Sequence, residues 1–377
     1  MAIKAAGSPQ PPISFSDIED EFGNNATRSL GAYRMNNLSI GDLSEVSLSR
    51  DGCGLNANSS IPVDNQTIKF SDFYSAKQNI YLNLYTSNQN RINAKNDKFN
   101  ASNPSGNYVV VGGTTGTNGP KPSDTNGKKI IIHVTKLIGS AQGSTNNCAL
   151  RTGSWNFGTE VLVEVGSGGK IIGAGGNGGD GVEDGTGGNG GSGTGALGID
   201  HSGTKIQTTG GSIVCGFGGG GAGGGGETKR EGNWRGSGRG PEVKAGGGGG
   251  GGGMGVPAGS GGLGAEGSSH NGTAGSATAA GNGGEGAEEI SSGGGEQAII
   301  NGGTGGEGGS LVSGSAENAD AGSSAFLSGN GPHEDAGTSG GGNGGANGSA
   351  IRKGSGISFN LIGSVNRVGD VSGTGVS

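Results

Sequence analysis

The chain repeats glycine with a three-residue rhythm, and this rhythm restricts what the chain can fold into. Glycine makes up 95 of the 377 residues, and most of it lies in Gly-Gly-X runs between residues 166 and 348. Three residues form one turn of a polyproline II-type helix, which has no internal hydrogen bonds. Because glycine lacks a side chain, such helices can approach closely and hydrogen-bond to one another. The rhythm therefore predicts a packed bundle of extended glycine helices.

A flexible linker is the alternative interpretation, because ordering glycine costs more backbone entropy than ordering any other residue. The tract is too long for a linker within a compact protein. It also contains apolar residues that a solvated linker does not need, at 213–215, 299–300, 311–312 and 326–327. We therefore interpret the tract as a folded scaffold.

The region before the tract has the composition of β-structure. Runs rich in β-branched residues predict strands at 108–111, 130–134 and 161–165, and the last continues through a Gly-rich turn into a hairpin-like return at 170–172. The polar stretch 86–103 is expected to be a surface loop. Residues 357–362 have strand character again, which predicts a return to pair with this unit.

The first residues differ from both regions. Ser16 and Glu19 have the spacing of a capping box, and Gly23 follows as a stop signal, which together predict a short helix. The sequence Phe-Ser-Asp occurs at 15–17 and again at 70–72. The two copies suggest small elements that dock on each other or on a partner.

The N-terminal sequence resembles a known type of module. Pro-Ile-Ser-Phe-Ser-Asp-Ile, Ser-Leu-Gly-Ala-Tyr-Arg and Ile-Lys-Phe-Ser-Asp-Phe-Tyr, within residues 11–76, are similar to an N-terminal module of bacteriophage tail and tail-fibre proteins. The glycine-rich region resembles the distal adhesin of T-even-type phages, a sandwich of polyglycine II helices with receptor-binding loops. The resemblance implies attachment to the virion through Phe15, Ile18, Phe22, Tyr33, Phe70, Phe73 and Tyr74.

The fold class expected from these features is mainly β and irregular, in four parts. They are a virion attachment module (1–79), a β-rich collar (80–172), a polyglycine II domain with variable loops (173–350), and a C-terminal return strand and tail (351–377).

The inserts between glycine runs carry the candidate binding residues. Binding residues concentrate on loops held by a rigid scaffold, and Trp and Arg are enriched at binding hot spots. The basic insert 227–244 contains Trp234, and other inserts are polar or acidic. We predict receptor contacts by Trp234, Arg235, Arg239, Lys229, Arg230, His270, Asn271, His333 and Glu334.

Several other functions are disfavoured by the sequence. The net charge of −7 argues against binding of nucleic acid or an anionic membrane, despite Arg-Gly spacings in the basic insert that are reminiscent of single-strand-binding segments. The four histidines lack metal-ligand spacing, and a single calcium-type nonapeptide around Asp180 has no tandem copy. Nucleophile, base and orienting group do not combine into a catalytic site. We expect no enzymatic activity, no cofactor and no metal.

Cysteine usage and the N-terminal residues bear on the compartment. Cys53, Cys148 and Cys215 are widely separated, which predicts reduced or buried thiols. The first residues lack the apolar stretch of a signal peptide. We expect synthesis in the host cytoplasm and assembly into the virion tail.

The favoured hypothesis is a phage tail-fibre or tail-tip adhesin that binds a host surface protein or glycan. Its other partners would be phage tail, fibre or baseplate proteins, and it would act as a homotrimer or as a monomer on a trimeric fibre. One alternative is a structural tail or baseplate connector without receptor binding. Another is an ice-binding protein, although charged, varied inserts suit a regular ice-binding face poorly.

Overall fold

The computed structural model describes residues 11–22, 30, 67–74, 80–84, 89–90, 92–99, 108–110, 125–230, 243–293, 296–312, 315–329 and 333–372. The fold is mainly β, as the sequence predicts. One α-helix, α1, spans Phe15–Phe22, and single turns of other helix types span Phe70–Phe73, Ala94–Phe99 and Ser268–His270.

The strands of the described residues are short and regular in their order. They are β1 (Ile80–Leu84), β2 (Gln89–Asn90), β3 (Ile92–Asn93), β4 (Tyr108–Val110), β5 (Lys129–Val134), β6 (Leu137–Gly139), β7 (Cys148–Arg151), β8 (Glu160–Gly166), β9 (Lys170–Ile172), β10 (Gly195–Ile199), β11 (Thr204–Thr209), β12 (Ser212–Val214), β13 (Gly226–Arg230), β14 (Val243–Ala245), β15 (Glu288–Gly293), β16 (Glu296–Asn301), β17 (Leu311–Val312), β18 (Ser315–Ala316), β19 (Phe326–Gly329), β20 (His333–Thr338), β21 (Ser349–Lys353), β22 (Phe359–Leu361), β23 (Arg367–Val368) and β24 (Asp370–Ser372).

Three parallel sheets form a three-sided β-solenoid. The first contains β1, β5, β8, β11 and β22, the second β2, β6, β9, β12 and β23, and the third β3, β7, β10, β21 and β24. The chain visits the sheets in this order five times within the described residues, so each round is one coil. The antiparallel strand β4 covers the outer edge of β1.

Columns of apolar side chains fill the solenoid, because residues in parallel register repeat from coil to coil. Within one buried cluster the first sheet contributes Leu82, Ile132, Val163 and Ile206, the second Ile138, Ile171 and Ile213, and the third Ile92, Leu150, Leu197 and Ile351. β-Branched and leucine side chains pack well on the stacked, pleated sheets of such a solenoid. The strands predicted at 108–111, 130–134 and 161–165 are confirmed.

Two local expectations are wrong. Residues 170–172 do not return as a hairpin, because β8 and β9 lie in different sheets and Gly168, with φ 73°, turns the corner between them. The stretch 86–103 is not only a loop, since it contains β2, β3 and the turn Ala94–Phe99. Its polar composition concealed Ile92, which closes one core column. The return strand predicted at 357–362 is confirmed as β22, which pairs with β11.

The described N-terminal residues bring the two Phe-Ser-Asp copies together. The rings of Phe15 and Phe70 meet edge to face with centroids 5.0 Å apart, and the Tyr74 hydroxyl donates a hydrogen bond to the Pro11 carbonyl. Ile18 and Phe73 are buried. Phe22 ends α1, and Tyr33 lies outside the described residues.

The helix predicted near residue 16 is confirmed, but its cap differs. The backbone N–H of Asp17 donates to Ser14 Oγ over 3.2 Å, and the Ser14 N–H donates to Asp17 Oδ2 over 2.7 Å. This reciprocal pair is the capping box, so the helix begins two residues before the predicted position.

The glycine tract forms a bundle of ten extended segments within the described residues. We number them along the chain as segments 1 (173–182), 2 (185–194), 3 (216–225), 4 (246–255), 5 (257–265), 6 (270–276), 7 (279–287), 8 (302–310), 9 (317–325) and 10 (339–348). Consecutive segments run antiparallel, as the bonds from Gly188, Gly191 and Thr194 to Asp180, Asn177 and Ala174 show.

Segments 3 and 4 lie at the centre, each with six hydrogen-bonded neighbours. The amides from Gly247 to Val256 donate in strict rotation to segments 1, 8 and 6, over 2.9–3.1 Å. Segment 3 bonds in the same way to segments 1, 2, 4, 8, 9 and 10. In cross-section, this connectivity corresponds to a hexagonal array of three rows. Segments 2, 1 and 5 form the first row, segments 10, 3, 4 and 6 the second, and segments 9, 8 and 7 the third. Buried backbone groups are thereby paired without a side-chain core.

The bundle is inserted into the solenoid at one corner. Segments 1 and 2 lie between β9 and β10 of the third coil, and segments 3 to 10 lie between β12 and β21 of the fourth. The segments therefore start and end beside the solenoid, and every second connection lies at the opposite end of the bundle. We call this opposite end the distal end.

Two cysteines lie in the described residues, and both are buried free thiols, as the sequence predicts for them. Burial raises the pKa of Cys215 to about 12, which disfavours the reactive thiolate. Cys53 lies outside the described residues.

A buried carboxyl on the first sheet gives the solenoid a pH-dependent stability. Burial raises the pKa of Glu164, and a 3.0 Å hydrogen bond from Thr209 Oγ1 opposes the shift. An acid with a raised folded-state pKa destabilises the fold as pH rises from its unfolded pKa, near 4.5, through the folded value. Glu164→Gln retains the acceptor oxygen, and we expect it to raise the urea midpoint at neutral pH. The difference should disappear in acid, and an advantage that persists there would contradict this account.

Candidate functional site

The distal end collects five connections that are far apart in sequence. They join segments 1 and 2 at 182–185, segments 3 and 4 through β13 and β14, segments 5 and 6 at 265–270, segments 7 and 8 through β15 and β16, and segments 9 and 10 through β19 and β20. They meet because an antiparallel array returns every second connection to the same end.

Two three-stranded sheets cover the distal end. β13 pairs with β14 and β20, and β16 pairs with β15 and β19, all antiparallel. Ile300 of β16 is fully buried, and its Cδ1 lies within 3.0 Å of where a Cβ on Gly226 would be. The glycine at the start of β13 therefore allows the two sheets to pack closely.

Lys244 links three distal elements electrostatically. Its Nζ lies 3.5 Å from Asp184 Oδ2 and 3.6 Å from Glu227 Oε2. Asp184 belongs to the connection between segments 1 and 2, whereas Glu227 and Lys244 face each other on β13 and β14. These exposed pairs contribute little energy individually, but they show that the connection at 182–185 lies beside β13 and β14.

Four of the predicted contact residues lie opposite one another on β13 and β20. Lys229 is in register with Glu334, and Arg230 with His333, beyond an irregularity between Glu227 and Lys229. The structure thus brings basic and acidic residues from positions about a hundred residues apart into one sheet. Their role in binding stays a prediction.

His270 and Asn271 also lie at the distal end, where their side chains hydrogen-bond to backbone groups of neighbouring segments. His270 Nδ1 is 2.9 Å from the Glu285 carbonyl, and Asn271 Oδ1 accepts from the Gly264 N–H over 2.7 Å. These bonds join segments 5, 6 and 7. The side chains of His270 and Asn271 therefore have a structural role, whether or not they contact a receptor.

Trp234, Arg235 and Arg239 lie outside the described residues. The strands on either side, β13 and β14, leave and re-enter the bundle at the distal end. The insert that carries these three residues therefore begins and ends there.

Sequence reasoning missed two exposed apolar residues at this end. Ile290 of β15 is 45% exposed and Phe326 of β19 is 57% exposed. In the sequence, Phe326 indicates only that the tract folds, and no local pattern distinguishes Ile290. Counting glycine segments along the chain would have placed both at the same end, because β15 follows segment 7 and β19 follows segment 9.

Three further observations concern metal binding, membrane-spanning helices and a surface cavity. The described residues contain no group of three or more His, Cys, Asp or Glu side chains arranged to share a metal ion. Throughout the same part of the chain, no helix has the length and apolar character to cross a membrane. A polar cavity lies on the third sheet, where Arg151 forms an ion pair of 2.6 Å with Asp200 and Lys95 donates to the Ser154 carbonyl.

Comparisons with known proteins give one structural neighbour. No protein-family model matches the chain, and no curated protein matches its sequence. The chain is similar to the crystal structure of the gp37–gp38 adhesin tip complex of the bacteriophage S16 long tail fibre. The identity is 16% and the TM-score 0.35, over 98% of this chain and 100% of that chain.

Proposed function

We propose that this chain is an adhesin of a bacteriophage tail fibre or tail tip, which recognises a host-cell surface receptor through the connections at its distal end. One observation carries the proposal. Five inserts of unlike chemistry emerge together at the end of the bundle opposite the solenoid. A fixed scaffold with diverse connections at one end suits recognition, because the loops vary without disturbing the framework.

We propose further that the bundle is a polyglycine II sandwich. The amides of segment 4 return to the same neighbour after every third residue, which fits a helix of three residues per turn. Such a scaffold is held by backbone hydrogen bonds in many directions, so it can present loops rigidly. Rigid presentation lowers the entropy lost on binding.

The other regions receive complementary roles in this proposal. The N-terminal residues attach the protein to other tail, fibre or baseplate proteins in the virion, and the solenoid separates this attachment from the distal end. Several copies per virion multiply a modest affinity of each copy. The receptor is a surface protein or glycan of the host, and the proposal requires neither catalysis, a cofactor nor a metal.

Binding of the purified, labelled full chain to host cells tests this function. We expect saturable binding to phage-sensitive cells and loss of binding to resistant derivatives that lack the receptor. A circular dichroism melt of the same preparation establishes that it is folded. If the folded protein binds neither sensitive nor resistant cells, the result would favour a structural connector.

A further inference from the structure

Three polar cavities adjoin one another on the side of the solenoid. The first, of about 630 Å³, lies on the third sheet, and the second, of about 600 Å³, shares Asn93 and Arg151 with it. The third, of about 300 Å³, shares Ser144 with the second and reaches segments 1 and 2 of the bundle. We call this row of cavities the lateral groove.

Separate parts of the fold line the lateral groove. Asn93 of β3 and Arg151 of β7 are in register on the third sheet. The turn after β3 contributes residues 95–97, and two connections contribute residues 142–147 and 354–357. The bundle adds a further side, because it is inserted one coil later at the same corner as the connection 142–147. The groove therefore runs from the third sheet to the side of the bundle.

Carboxamide and hydroxyl groups dominate this lining. It contains five serine or threonine hydroxyls and six carboxamides, which belong to Asn93, Asn96, Gln142, Asn146, Asn147 and Asn177. Both kinds of side chain donate and accept hydrogen bonds. A matching ligand carries many groups that also do both, as the hydroxyl groups of a carbohydrate do.

The charges of the lateral groove balance. Its charged lining residues are two bases, Lys95 and Arg151, and two acids, Asp97 and Asp200. Arg151 donates from Nε and Nη2 to the two carboxylate oxygens of Asp200, over 3.1 and 2.6 Å. Asp97 accepts a hydrogen bond from the Asn93 N–H over 2.6 Å. Because the positive and negative side chains are equal in number, the lining favours an uncharged ligand over an ionic one.

Internal hydrogen bonds hold part of the polar lining in place. Asn147 Nδ2 donates to the carbonyls of Ala141 and Gln142 over 2.9 and 3.1 Å. Gln142 Nε2 donates to the Gly175 carbonyl over 2.9 Å, which ties the connection 142–147 to segment 1. Polar groups that are positioned before binding lose little entropy when a ligand arrives.

We propose that the lateral groove binds an uncharged oligosaccharide, at a site separate from the distal end. The carboxamides exchange hydrogen bonds with the sugar hydroxyls, and Ile357 offers an apolar contact to the C–H face of a sugar ring. Each cavity has the size of a small-molecule site, so a ligand that spans the row is a chain of sugars. This inference does not rest on receptor binding by the distal connections.

Isothermal titration calorimetry of the full chain tests the site. The uncharged probes are maltohexaose, cellohexaose, mannohexaose and chitohexaose, and the anionic probe is hexagalacturonate. We expect at least one uncharged hexasaccharide to bind with a dissociation constant of about 1 mM or lower, and its monosaccharide to bind at least about 10-fold more weakly. Binding of none of the uncharged probes, or tighter binding of the anionic probe, would overturn the proposal.

Blocking variants locate the bound sugar. Ser355→Trp and Thr145→Trp place a large side chain in the first and third cavities, at opposite ends of the row. Both residues are exposed and lie in turns, and each substitution should weaken hexasaccharide binding about 10-fold or more. Ser167→Trp is the matched control, because Ser167 is an exposed turn residue between β8 and β9, outside the groove.

The control variants separate this site from the distal end. Ser167→Trp and Trp234→Ala should bind the hexasaccharide as the wild type does. Wild-type affinity in both blocking variants, or loss of affinity in Trp234→Ala, would contradict a site in the lateral groove. Circular dichroism of each variant establishes that it is folded, and the two blocking variants provide independent tests.

Discussion

Replacing Gly250 with alanine is expected to destabilise the protein by about 3 kcal/mol or more, because the new methyl group has no space. A Cβ on Gly250 would lie 2.1 Å from the Gly220 carbonyl oxygen and 2.6 Å from its carbon. Both atoms belong to backbone, so no side chain can rotate away. The Gly250 amide is itself bonded to the Gly179 carbonyl over 2.9 Å, which resists movement of the segment.

Gly340→Ala is the matched control for this prediction. No heavy atom lies within 4 Å of a Cβ on Gly340, although this residue also belongs to the bundle and accepts a hydrogen bond from Gly187. We expect its urea midpoint to equal or exceed that of the wild type, because alanine reduces the entropy of the unfolded chain. Equal destabilisation by the two substitutions would contradict the close packing of segments 3 and 4.

Trp234→Ala is expected to reduce adsorption to sensitive cells by about 30-fold or more, the effect of losing a hot-spot residue worth at least ~2 kcal/mol. The insert that carries Trp234 begins and ends at the distal end, between β13 and β14. Tryptophan provides a large contact area at a low cost in side-chain entropy. The measurement is the equilibrium binding of labelled wild-type and variant protein to the same cells.

Phe157→Ala controls for the removal of an exposed aromatic side chain. Phe157 lies in the turn before β8 of the solenoid and is almost fully exposed, and it belongs to none of the five distal connections. We expect this variant to bind cells as the wild type does, with both variants melting at the wild-type temperature. Normal adsorption by Trp234→Ala would remove this insert from the proposed receptor contact.

Much of the secondary structure could be predicted because its signals are local. The runs at 130–134 and 161–165 contain β-branched residues bounded by turn residues, and they form β5 and β8. The short strands β2 and β3 could not be predicted in this way. Their stability comes from pairing with β6 and β7, about fifty residues further along the chain.

The candidate site could be predicted only in part. Chemistry alone marks Lys229, Arg230, His333 and Glu334 as candidates, but their register across β13 and β20 depends on the path of the whole bundle. The sequence shows His270 and Asn271 as a polar insert, whereas their hydrogen bonds to other segments exist only in the folded structure. The exposure of Phe326 likewise depends on what the neighbouring strands leave uncovered.

The sequence by itself determined the repeat of the bundle and the local strands. A Gly-Gly-X rhythm leaves two positions of three without a side chain, so extended segments can bond to neighbours on several sides. Tertiary structure alone decided that the bundle is inserted at one solenoid corner, with five inserts at its distal end. The pairing of β11 with β22 joins residues more than 150 positions apart. Such contacts depend on chain closure and register, which no local pattern encodes.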